Sequence, residues 1–161
     1  PVEGAFDYDD LTRPIPKEEA LAVLRRAEEA GLVHTTGNFR GRHYYICNCC
    51  PCCCAVLRGL TEFGVPAAVA HSGFRAAVDG EACLGCGACA DRCPMGALSV
   101  PEGVAVVDPN RCIGCGVCAL ACPADALHLE RRPDAAPPPQ NIQEWMLLRA
   151  QARGIPLEEI L

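Results

Sequence analysis

The apolar positions of this chain follow a helical period in one stretch and short strand-like runs in the next. Over residues 16–30, Ala20, Leu21, Val23, Leu24 and Ala27 fall on one face of a helix. Pro16 suits its first position, Glu18 and Glu19 suit the positive end of its dipole, and Gly31 suits its exit. Residues 32–36 and 43–47 then read as two strands around a turn at 37–41. A second helix is expected over 53–63, closed by Gly64 and Pro66.

Beyond residue 74 the pattern repeats itself. Residues 75–100 align without gaps on 104–129 at an offset of 29, and 13 of the 26 positions are identical. Each copy reads as a short strand (76–78 and 104–107), a cysteine-bearing loop, a helical turn and another short strand. This predicts a duplicated half-domain with approximate two-fold symmetry and an α+β fold. A proline-rich linker follows at 133–140, then a helix over 141–153 carrying Trp145, Met146, Leu147 and Leu148. The end, 155–161, is apolar apart from Glu158 and Glu159. The tail either folds back or docks a partner subunit as a groove anchor. The expected division is a cysteine-rich helix–hairpin–helix subdomain at 1–73, the duplicated unit at 74–130, and a linker with a docking helix at 131–161.

Composition narrows the classes. The 161 residues suit one modest domain or two very small ones. Fourteen cysteines in so short a chain would ordinarily suggest a disulfide scaffold, but their registers are those of metal ligands, which must stay reduced. The net charge of -6 argues against nucleic acid as a partner, despite a small basic hairpin tip at Arg40 and Arg42. Acidity would instead steer the chain to basic patches on a redox partner. No apolar run approaches a membrane span, and neither a secretory pattern nor a twin-arginine signal appears, so a cytoplasmic location is expected.

Two runs read C-x₂-C-x₂-C-x₃-C-P: Cys83, Cys86, Cys89, Cys93 before Pro94, and Cys112, Cys115, Cys118, Cys122 before Pro123. This spacing lets three thiolates surround one cube while the fourth points to a second, so Cys93 and Cys122 must cross over. Residues 74–129 therefore resemble a bacterial-type two-cluster ferredoxin domain. The resemblance implies two [4Fe–4S] clusters and one-electron transfer. It also implies ligand sets of Cys83, Cys86, Cys89 and Cys122 for one cluster, and Cys112, Cys115, Cys118 and Cys93 for the other. Gly85, Gly87, Gly114 and Gly116 would let the loops wrap closely and aim N–H groups at sulfur. Leu84, Ile113, Val117, Leu98 and Leu127 would exclude water.

Six further cysteines crowd into one block: Cys47, Cys49, Cys50, Cys52, Cys53 and Cys54. Neighbours in sequence cannot all face one interior, and they are poorly placed for local disulfides. Three readings stay open. A third iron–sulfur cluster is preferred, because soft thiolates suit that chemistry. A zinc site with His34 or His43 is the second, although the usual paired spacing is missing. Thiols that exchange disulfides or carry sulfur are the third. The block also resembles cysteine-dense stretches preceding ferredoxin modules in anaerobe-type iron–sulfur proteins, which implies no ligand assignment. His71 and His128 read as structural.

No nucleophile–base pair, phosphate loop or carboxylate pair stands out. The expected role is thus an electron carrier, or a relay subunit bound to a flavin or metal oxidoreductase. The alternatives are a subunit whose 47–54 cysteines carry out thiol–disulfide or substrate-reduction chemistry, and an iron–sulfur redox regulator.

Overall fold

The computed structural model describes residues 12–41, 43–65 and 72–156. Arg42, Pro66, His71, Glu158 and Glu159 lie outside them.

Helix α1 (Lys17–Glu29) starts after Pro16, whose extended backbone serves as the N-cap, and ends at Ala30. Gly31 follows with a φ of 76°, the left-handed exit for which glycine carries no steric cost. The expected boundaries hold to within a residue. Strand β1 (Val33–Thr35) then pairs antiparallel with β2 (Cys47–Cys49), in the register Val33↔Cys49, His34↔Asn48 and Thr35↔Cys47. The second strand was expected at 43–47 and begins only where that range ends. The loop carries its own bonds instead. The Thr36 hydroxyl donates to the Tyr45 carbonyl at 2.8 Å, and Phe39 stacks on His43. Opposite His34 stands Asn48; their side chains meet at 2.7 Å between Nδ1 and Oδ1.

Helix α2 (Ala55–Thr61), capped by Cys54, is shorter than expected. It places Leu57 in full burial beside Val33.

The two cysteine runs sit in a four-stranded arrangement of two sheets. Strand β3 (Phe74–Val78) pairs antiparallel with β6 (Leu127–Arg131), and β4 (Leu98–Ser99) with β5 (Val106–Val107). The first strand of one copy thus pairs with the last strand of the other, in both directions. Asp79 N–H donates to Ala126 O at 2.8 Å, and Asp108 N–H donates to Ala97 O at 2.8 Å, an equivalent bond at the offset of the repeat. Between the strands lie two short helices, α3 (Ala88–Arg92) and α4 (Val117–Leu120), each entered through a left-handed glycine, Gly87 and Gly116. Even a departure from identity keeps the conformation. Gly96 has a φ of 56°, and Asp125, its counterpart, has 50°.

Val33 and Leu57 belong to the same buried cluster as Ala76, Cys89, Leu98 and Leu127, so the N-terminal elements share the core of the repeat. A second tie is Arg92, whose guanidinium donates to the carbonyls of Glu28 (2.9 Å) and Glu29 at the end of α1. A cation there satisfies carbonyls that lack helical partners and opposes the dipole.

At the C-terminus, α5 (Ile142–Ala152) opens with a capping exchange: Asn141 Oδ1 accepts from Glu144 N–H at 2.9 Å, and Glu144 Oε2 accepts from Gln140 N–H at 2.5 Å. The linker touches the β1–β2 loop, where Arg40 N–H donates to Pro139 O at 2.7 Å. Met146, Leu147 and Leu148 remain exposed. Three successive apolar residues cannot share one helix face, so α5 presents apolar side chains on more than one side. Among the described residues, no helix is long and apolar enough to cross a membrane.

Leu57→Ala should cost about 2–5 kcal/mol, because a fully buried leucine leaves both lost transfer energy and a cavity. The midpoint of denaturant unfolding reads this. An unchanged midpoint would mean that α2 does not belong to the common core.

Candidate metal centres

Each cysteine run holds its first three thiols on a loop and the following short helix. Gly85 and Gly114 make those loops possible. Both have positive φ, and a Cβ on Gly85 would lie 2.3 Å from Gly103 O, while one on Gly114 would lie 2.1 Å from Phe74 O. Backbone therefore runs against backbone on the outer side of each loop, leaving the thiols to face inward. Arg132 braces the second loop by donating to Cys112 O at 2.7 Å and Phe74 O at 3.2 Å.

Two cavities result, each of about 340 Å³ including space open to solvent. Cys83, Cys86, Cys89 and Cys122 line one of them. Cys112, Cys115, Cys118 and Cys93 line the other. Three thiols come from one run and the fourth from the other in both cases. The remaining walls are apolar: Val100, Ala105 and Leu127 in the first, Met95, Leu98 and Ile113 in the second. Among the described residues, no polar or charged side chain is buried.

The electrostatics of these walls resist bare thiolates. Burial, then repulsion from Cys115, Cys93 and Cys112, pushes the Cys118 thiol up to about 12. Burial likewise raises Cys115 and Cys89. A cationic core reverses that balance, because it takes thiolates as ligands and neutralises them together. Some donors already favour the anion. Ala105 N–H donates to Cys83 Sγ at 3.4 Å and, together with Gly85 N–H, holds that thiol below its ordinary value. Ala97 N–H donates to Cys93 Sγ at 3.3 Å. Four convergent thiols, apolar walls and N–H groups on sulfur fit an iron–sulfur cube.

The expected water shield is only partly present. Val117, Leu98 and Leu127 are buried and Ile113 is half-buried, but Leu84 is 71% exposed although it lines the first cavity. Cys86 beside it is exposed, whereas its counterpart Cys115 is half-buried. The two cysteine loops are therefore unequally exposed at these positions, which the matching registers alone do not reveal.

The six other cysteines divide. Cys50, Cys52 and Cys53 bring their Sγ atoms within 4.8 Å of one another. Cys49 and Cys54 interact separately, with Thr35 Oγ1 3.8 Å from Cys49 Sγ. Cys47 stands exposed at the start of β2. The Cys52 and Cys53 thiols donate to Cys50 and hold it down to about 7. Neither histidine joins the trio: His34 is bonded to Asn48, and His43 Nδ1 lies 3.1 Å from Thr36 Oγ1.

This is the architecture of an iron–sulfur electron-transfer domain. Residues 82–126 match the family model described as a 4Fe-4S dicluster domain, so the chain contains a ferredoxin-type domain whose cofactors are [4Fe–4S] clusters. No curated protein matches the chain.

Gly114→Ala should lower iron incorporation and the denaturation midpoint well beyond Gly87→Ala. At Gly87 a methyl meets nothing within 4 Å and carries only the left-handed penalty of about 1–2 kcal/mol. At Gly114 it carries that penalty and must also displace the backbone of β3. Equal effects of the two substitutions would contradict the close approach.

Proposed function

We propose that this chain is an electron-relay protein. Residues 74–130 would form a duplicated two-cluster ferredoxin module, residues 1–73 a cysteine-rich subdomain packed on it, and residues 131–161 a linker with a docking helix. The observation that carries this reading is the pair of cavities, each lined by three thiols of one run and the fourth of the other. Cys83, Cys86, Cys89 and Cys122 would hold one cluster; Cys112, Cys115, Cys118 and Cys93 would hold the other. When bound, the clusters supply one-electron transfer.

The chain's own residues do the rest. Ala105 N–H and Ala97 N–H stabilise thiolate charge, which favours the reduced state of a site with net negative charge. Buried Met95, Leu98 and Leu127 keep water from the sulfurs. The exposed rim at Leu84 and Cys86 is the side on which a partner's flavin or metal centre would exchange electrons. A net charge of -6 would draw a basic partner face to it, with an association that weakens as salt rises.

Anaerobically prepared protein should hold eight iron and eight sulfide per chain. Cys122→Ser should impair the site of Cys83, Cys86 and Cys89 and leave the other spectroscopically intact; Cys93→Ser should do the reverse. Iron analysis with EPR of the reduced protein checks both. Four iron per chain in the wild type, or a Cys122→Ser change confined to the site of Cys112, Cys115 and Cys118, would sink the crossed assignment.

A further inference from the structure

The cysteine quartets supply an internal ruler for the 47–54 block. Three thiolates on one tetrahedral ion with metal–sulfur bonds of about 2.3 Å stand about 3.8 Å apart. Ligands of a cube sit on different irons and must stand farther apart. Cys52 Sγ lies 3.7 Å from Cys53 Sγ, at the single-ion spacing. Cys50 Sγ lies 2.8 Å from Cys52 Sγ, closer than two ligands of one ion stand, so that pair must open by about 1 Å on binding. All three fall within 4.8 Å. Among the described residues, no three thiols of either quartet come together that closely.

The local backbone produces this geometry. Pro51 fixes its φ at the start of a turn, and Cys54 N–H closes it on Cys50 O at 3.1 Å. Cys50 on one side of the turn and Cys52 and Cys53 within it then converge. Cys49 and Cys54 engage each other, Cys54 also feels the charge of Cys50 and Cys49 that of Cys47, but only Cys50, Cys52 and Cys53 fall within the 4.8 Å grouping. Cys52 and Cys53 are exposed, which leaves the outer side open to a fourth ligand. Arg58, one turn into α2, lies near enough to Cys53 to feel its charge.

We infer that Cys50, Cys52 and Cys53 form a mononuclear site for one thiophilic d¹⁰ ion, Zn²⁺ or Cu⁺, bound by three thiolates with the fourth position open to solvent. Binding places three thiolates on the ion and releases to solvent whatever protons the three thiols still carry, at most three, with no electron exchanged. The two ions share this soft-donor chemistry. An open position is the mark of a site that can receive an exogenous ligand rather than a closed structural one. The inference is independent of the two-cluster reading, since it rests on other residues and a different metal.

The test uses the full chain with its iron–sulfur sites loaded anaerobically, titrated with Zn²⁺ or with Cu⁺ in separate arms. One ion per chain is expected in at least one arm, with X-ray absorption reporting three sulfurs at single-ion distances and no iron neighbour. The triple variant Cys50→Ser, Cys52→Ser, Cys53→Ser should lose that ion and keep the wild-type iron content; Cys47→Ser should keep both. If the triple variant fails to load iron, the exposed single variant Cys52→Ser should still weaken the ion at least tenfold in chelator competition. Stoichiometric binding that survives the triple variant, or no stoichiometric binding in either arm, overturns the site. So does an iron and sulfide content of twelve that falls to eight in the variant, which would mean a third cube. Failure of the two-cluster reading would appear separately, as a wild-type iron content of four.

Discussion

Neither thiol-lined cavity can close within one copy of the repeat. Each takes its fourth cysteine from the other copy, so the two thiol-lined cavities form only when β3 meets β6 and β4 meets β5. The strands are short, and the β4–β5 pair spans two residues per strand. Strand pairing alone is a weak source of stability at this length. Buried apolar contacts and bound metal must carry the folding, because metal binding free energy becomes folding free energy where the unfolded chain has no site.

The region ahead of the repeat adds core that the repeat lacks. Leu57 and Val33 are the largest fully buried side chains described, and they join the cluster that includes Cys89. Arg92, next to Cys93 in sequence, ends α3 and at the same time caps α1. The cysteine block follows β2 directly and leads into α2, so the same packing that buries Leu57 fixes where the trio of thiols is displayed.

Much of this could be read from residues in order. The helix at α1 was legible because its caps and stripe are local, as was α5 from the proline-rich linker before it and its run of large apolar residues. The β1–β2 register was not. Residues 43–47 have a strand-like composition, but side-chain bonds from Thr36 lengthen the loop, and the burial of Val33 beside Cys49 decides the pairing. Leu84 reads in sequence as one of the apolar residues that exclude water; its exposure depends on what packs over each loop, which identical registers do not encode.

The sequence by itself determined the cysteine registers, the offset of 29 between the copies, and the chemistry that such thiols can support. These are matters of spacing along one chain. Only the tertiary structure decided how the eight thiols line two cavities, with Cys86 exposed and its counterpart Cys115 half-buried, and which three of the other six converge. Ligation depends on where sulfur atoms lie in space, and that position is set by strand pairing, left-handed glycines and burial.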